Sequence, residues 1–162
     1  MDTLIAAIAA IFGTLAGSIV NHVLQGRSAF RAENFARSER VRQDRVQSYA
    51  EFGKAIMDYR RAEFARWEQR RDSVSSDAAW EARSEAHRNR GIAWHVLFQV
   101  QLLDDDPELI DSATRLLDIT SDLHHAENSE DLVRRGSLVR EELTHFMGIA
   151  ANHLRQPTSP GR

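Results

Sequence analysis

Between Asp2 and Arg27 the chain carries no charged residue. The run from Leu4 to Leu24 is mostly Leu, Ile, Val, Phe, Ala and Gly. Its length matches the roughly 20 apolar residues that cross a bilayer core as a helix. This predicts an N-terminal transmembrane anchor. Two other readings compete with it. A signal peptide opens with Lys or Arg and ends at a small-x-small cleavage site, whereas this chain opens Met1-Asp2-Thr3 and shows no clean cleavage site before the first arginines. A helix buried in a soluble domain would accommodate Asn21, His22 and Gln25 near the end of the run. Arg27, Arg31, Arg37, Arg40, Arg42 and Arg45 all follow the apolar run and no basic residue precedes it. By the positive-inside rule the N-terminus is then outside and the rest cytoplasmic, a single-pass topology expected in a bacterial inner membrane.

Projected at 100° per residue, the apolar run has two faces. Leu4, Ile8, Ile11, Phe12, Leu15 and Ile19 are bulky. Ala10, Gly13, Thr14, Gly17, Ser18, Asn21 and Gln25 gather on the other side. Lipid gives no reason for small and polar residues to segregate, but close helix–helix packing does. The expectation is self-association of copies through that face. An alternative is an oligomeric channel or membrane-permeabilising protein with the same residues lining a narrow path. The basic juxtamembrane residues, partly offset by Glu33, Glu39 and Asp44, suit anionic headgroups.

Beyond Gly26 the signal is helical throughout. Tyr49, Phe52, Ile56 and Tyr59 step by the intervals of a core-facing stripe, extended by Phe35, Val41, Val46, Phe64 and Trp67. The polar segment from Asp72 to Asp77 breaks the first run. A second helix to about Asp104 carries Trp80, Trp94, Leu97, Phe98 and Leu102. Asp106-Pro107-Glu108 combines an N-cap acceptor, a proline at the first helical position and an acid at the positive dipole end, so a third helix starts there. Ser129 is expected to cap the fourth, with Leu132, Val139, Leu143, Phe146, Ala150 and Leu154 inward. The fold expected is all-α: a transmembrane helix (1–26), a basic helical stalk (27–44), an antiparallel up-down four-helix bundle (45–155) and a disordered tail (156–162). Helix lengths set Asp104, Asp105 and Asp106 near Arg42 and Arg45, either pairing with them or as solvated ends.

The run Arg42-Gln43-Asp44-Arg45-Val46-Gln47-Ser48-Tyr49-Ala50-Glu51-Phe52 follows an arginine-rich linker and an apolar N-terminal helix. Over about the first 70 residues it resembles small single-span membrane proteins of actinobacteria. That resemblance implies architecture and bacterial origin, and carries no site residue.

Chemistry is sparse. Cysteine is absent and the net charge is −3, which argues against a thiol site and a dedicated nucleic-acid binder. Glu142-x-x-His145 and Asp122-x-x-His125 have the carboxylate-x-x-His spacing of di-metal bundles, with Glu63 and Glu85 as further donors. The antiparallel register sets the two motifs about two dozen ångströms apart along the helices, so no shared metal site is expected. His124-His125 suit a helix C-terminus. Arg60, Arg61 and Glu63 border the core stripe, either as a buried network or as long side chains reaching solvent. No catalytic, cofactor or metal residues are assigned and no enzyme is expected. The function expected is a membrane-anchored scaffold, adaptor or regulatory subunit contacting lipid, further copies of itself and a protein partner on the bundle, with no nucleic acid.

Overall fold

In the computed structural model, the backbone is described for residues 2–71 and 76–155, and side chains from Glu33 onward except Asn34 and Ser76. Four helices follow one another: α1 (Asp2–Arg71), α2 (Ser76–Leu103), α3 (Pro107–Ser121) and α4 (Ser129–Arg155), with a 3-10 turn at Asp122–His125. Two compact units divide the chain, Met1–Arg40 and Val41–Arg162. In the first, the described part is helix with an exposed Glu33–Arg37 pair and Ser38 donating to the Phe35 carbonyl.

The second unit is a four-helix bundle whose core is seeded by α1. Tyr49, Phe52, Ile56 and Tyr59 are 2 % exposed or less, and Trp67 is buried as well. The stripe does not extend toward the N-terminus, where Phe35, Val41 and Val46 are exposed. α4 runs antiparallel to α1. Phe146 meets Tyr49 and Phe52 edge-on, with ring centroids 6.2 and 5.1 Å apart. Further along, Arg60 Nε donates to the Gly136 carbonyl and Trp67 Nε1 to the Ala126 carbonyl at 2.7 Å. α3 packs on both α2 and α4 through Leu109, Ala113, Leu116, Leu117 and Thr120, and Tyr59 reaches it through Ser121. In α2 the inward residues are Ala86, Ala93, Val96, Leu97 and Val100, while Trp80, Phe98 and Leu102 face outward. Alanines and valines on that face let α2 lie close to its neighbours.

The helix starts follow local chemistry. Asp106 caps α3 by accepting the Glu108 amide, with Pro107 in the first turn. At α4 the cap is Asn128 rather than Ser129: its Oδ1 accepts the Asp131 amide, and the Asp131 carboxylate accepts the Glu127 amide in return. Reciprocal bonding of this kind satisfies donors that helix geometry leaves open.

The single-span topology is not upheld. Among the described residues no helix is long and apolar enough to cross a membrane. From Glu33 to Arg71, α1 carries a charged residue in nearly every turn, which excludes that stretch from hydrocarbon. The transmembrane anchor, lipid partnering, self-association through a membrane face, the channel alternative, the inner-membrane location with its inside–outside orientation, and the resemblance to single-span proteins all fall together. The proposed packing face Ala10, Gly13, Thr14, Gly17, Ser18, Asn21 and Gln25, and the arginines Arg27 and Arg31, lie outside the residues with described side chains.

At Gly136 the α1 side chains Phe64 and Arg60 lie close against α4. A Cβ there would stand 2.5 Å from Phe64 Cζ and 2.9 Å from Arg60 Nη2, whereas one on Gly148 would meet nothing within 4 Å. Gly136→Ala is expected to destabilise the bundle by about 1–3 kcal/mol through overpacking, and Gly148→Ala to stabilise it by about 0.5–1 kcal/mol. Thermal melts followed by circular dichroism test both signs.

Candidate functional site

Two enclosed carboxylates dominate the polar chemistry of the bundle, one toward each end of the Tyr49–Tyr59 stripe. The first is Asp104, at the corner between α2 and α3. Its side chain is fully enclosed, and its side-chain partners come from α1 and α4. The Tyr49 hydroxyl of α1 donates to Oδ2. Arg45 Nε stands 3.5 Å from the same oxygen and donates to the Leu103 carbonyl. From α4, His153 Nε2 lies 3.2 Å from Oδ1. Across the ring, His153 Nδ1 lies 3.1 Å from Asp106 Oδ2. Both ring nitrogens of His153 thus face a carboxylate oxygen.

Electrostatics follow from that enclosure. Burial first, and then the Asp104 carboxylate, push the Tyr49 phenol well above its usual range. Burial would raise Asp106, but the Glu108 amide and His153, together with the Leu109 amide, outweigh it and hold the carboxyl low. Of the acid–arginine pairs the register allows, Arg45 with Asp104 forms, while Asp106 meets His153 and Asp105 is exposed.

The second carboxylate is Glu63, 1 % exposed on α1. Arg66 Nη1 lies 3.4 Å from each of its oxygens and His124 Nδ1 3.4 Å from Oε2. That nitrogen bonds more closely to the Ser121 carbonyl, at 2.6 Å. Burial and then the Arg66 charge keep the His124 imidazole below its usual range, so the neutral ring donates to the carbonyl. Burial is also the leading cause that raises the Glu63 carboxyl, against the opposing pull of Arg66. Beside it, Arg60 lies over the Phe64 ring at 4.5 Å, while Arg61 is exposed and pairs with Asp58. Of Arg60, Arg61 and Glu63 only Glu63 is buried, and its partners are Arg66 and His124 rather than Arg60 or Arg61.

A third cluster caps α4. Arg134 and Arg135 hold the Asp131 carboxylate at 2.5 and 2.9 Å, and with the Glu127 amide they bring it down to about 2. Its support is present above the ordinary carboxyl value and fades as pH falls toward about 2.

Of the metal-like motifs, Glu63 meets His124 rather than His125, Glu85 pairs with Arg88 on its own helix, and no metal-holding group exists among the described residues. Arg37 pairs with Glu33; Arg40, like Arg37, is exposed, and so is Arg42, which is engaged within its surroundings. Between α1 and α2 lies an open cleft of about 340 Å³ bordered by Asp44, Ser48, Glu51, Gln99 and Leu102. The Ser48 hydroxyl on this cleft is buried without a hydrogen-bond partner. The sequence reading did not find Asp104 with Tyr49 and His153 as a set, because the three come together only when α4 returns to the α2–α3 corner.

Residues 46–154 match the family model described as KilB plasmid transfer protein. The chain belongs to the KilB family. The match begins at Val46, one residue after Arg45, and ends at Leu154, one residue after His153, so it covers the core of the bundle and the Asp104 corner. No curated protein and no solved structure matches the chain significantly.

Two expectations follow for the KilB-family bundle. Tyr49→Phe leaves a buried Asp104 oxygen short of a donor and is expected to cost about 1–3 kcal/mol in urea unfolding. Glu63 has the opposite sign. Its raised carboxyl favours the protonated form in the fold, so its contribution is favourable below the ordinary value of 4.5 and is lost as pH rises through the raised one. Glu63→Gln is expected to raise the unfolding midpoint at neutral pH, with the gain disappearing below about pH 4.

Proposed function

We propose that this chain serves plasmid transfer as a KilB-family helical bundle that works by binding protein rather than by catalysis. The observation that carries the reading is the family match across residues 46–154, which takes in the core of the bundle. The use of its ionisable groups supports a binding role. Asp104 and Glu63 are enclosed and engaged by neighbouring side chains, and Asp131 is held at a helix cap. In contrast, large apolar side chains stand exposed on α2, where a partner gains from covering them.

Deleting the coding sequence from a plasmid-bearing donor is expected to lower the frequency of transfer in matings, with wild type supplied in trans restoring it. Glu63→Gln is expected to restore transfer equally well. Unchanged transfer after deletion would remove the assignment. Failure of Glu63→Gln in a stably folded protein would instead turn it toward catalysis.

A further inference from the structure

The exposed residues on the outer face of α2 have the same spacing in both directions. Trp80 is 71 % exposed, Phe98 52 % and Leu102 86 %. With Ser84, His87, Gly91 and His95 they fall within about 80° of one another around a helix of 3.6 residues per turn. The steps between them are four, three, four, four, three and four residues, a palindrome centred on Gly91. A side chain on Gly91 would meet nothing within 4 Å. The packing of the bundle therefore does not call for glycine there, and glycine inside a helix costs about 0.8–1 kcal/mol relative to alanine. Charge is arranged about the same centre. Asp77, Glu81, Arg83, Glu85, Arg88 and Arg90 precede Gly91, and nothing from Gly91 to Leu103 carries a formal charge at neutral pH.

We propose that α2 is the contact between two copies of this chain, paired antiparallel about a two-fold axis at Gly91. Trp80 of each copy then packs on Leu102 of the other, Phe98 on Ser84, and His87 faces His95. The two Gly91 backbones approach directly. A two-fold contact needs a surface complementary to itself, and the palindromic spacing supplies one, setting a large side chain against a small or apolar one. Charge selects the direction. Parallel pairing sets Glu81 on Glu81 and Arg88 on Arg88, whereas antiparallel pairing lays each charged half on an uncharged half. At the edge of the seam Arg90 comes over Trp94 of the other copy, a favourable cation–π placement. The stripe is about 33 Å long at the helical rise, and its tryptophan and phenylalanine are suited to act as anchors. The pairing goes beyond the role in plasmid transfer and stands without it, since mass and cross-linking read it directly.

Sedimentation of the full chain at micromolar concentration is expected to give a dimer. Gly91→Leu, which the free bundle accommodates, is expected to give a monomer with unchanged helicity and an undiminished melting temperature. The native chain has no cysteine, so single cysteines report register. Gly91→Cys is expected to cross-link to itself on mild oxidation, and Ser84→Cys, whose two copies lie about 20 Å apart along the helices, is not. A monomeric wild type, a dimer undisturbed by Gly91→Leu, or cross-linking at Ser84→Cys in place of Gly91→Cys would each overturn the proposal.

Discussion

A carboxylate removed from water must be met by donors, and at Asp104 that requirement ties the bundle together. The residue sits just past the end of α2, and its donors come from α1 and α4. Satisfying one side chain therefore fixes where α1 lies along α2 and where α4 must return. Tyr49 links this polar corner to the apolar core, since its hydroxyl serves Asp104 while its ring packs on Phe146. Shifting α1 by one turn would lose the ring contact and leave the Asp104 Oδ2 without Tyr49 and Arg45. A buried charge is a weak source of net stability but a strong penalty on wrong arrangements, and here it acts on register.

The other end of the stripe shows a different balance. Glu63 is enclosed as fully as Asp104, yet its partners are farther away and its nearest imidazole is committed to a backbone carbonyl. Asp104 is held by a close donor set drawn from two helices, while Glu63 is driven toward its neutral form.

What was legible in the sequence is what depends on neighbours along the chain. The α1 stripe from Tyr49 to Tyr59 and the Asp106-Pro107 start of α3 follow from periodicity and capping, and both appear as expected. Side-chain size misled where it stood in for position. On α2 the aromatics suggest a core face, but Ala86, Ala93 and Val100 hold the periodic inward positions while Trp80 and Phe98 face out. At α4 both Asn128 and Ser129 can cap, and the reciprocal bond between Asp131 and Glu127 decides for Asn128. The membrane reading rested on composition of a single run, and the charged course of α1 beyond Glu33 gives no described helix able to cross a bilayer. The Asp104 set was beyond reach, since proximity of residues 49, 104 and 153 exists only after the chain has folded back three times.

The three tryptophans occupy three depths. Trp67 is buried with its indole N–H bonded to the Ala126 carbonyl, Trp94 is half-covered against the core, and Trp80 stands 71 % exposed. The chain thus carries its own graded set of optical reporters. In the single chain a soluble quencher should reach Trp80 first and Trp67 last. Emission from Trp67 would then follow the α1–α4 junction at Ala126, while Trp80 follows the outer surface of α2. A local opening at one place can in this way be told from loss of the whole fold by light alone.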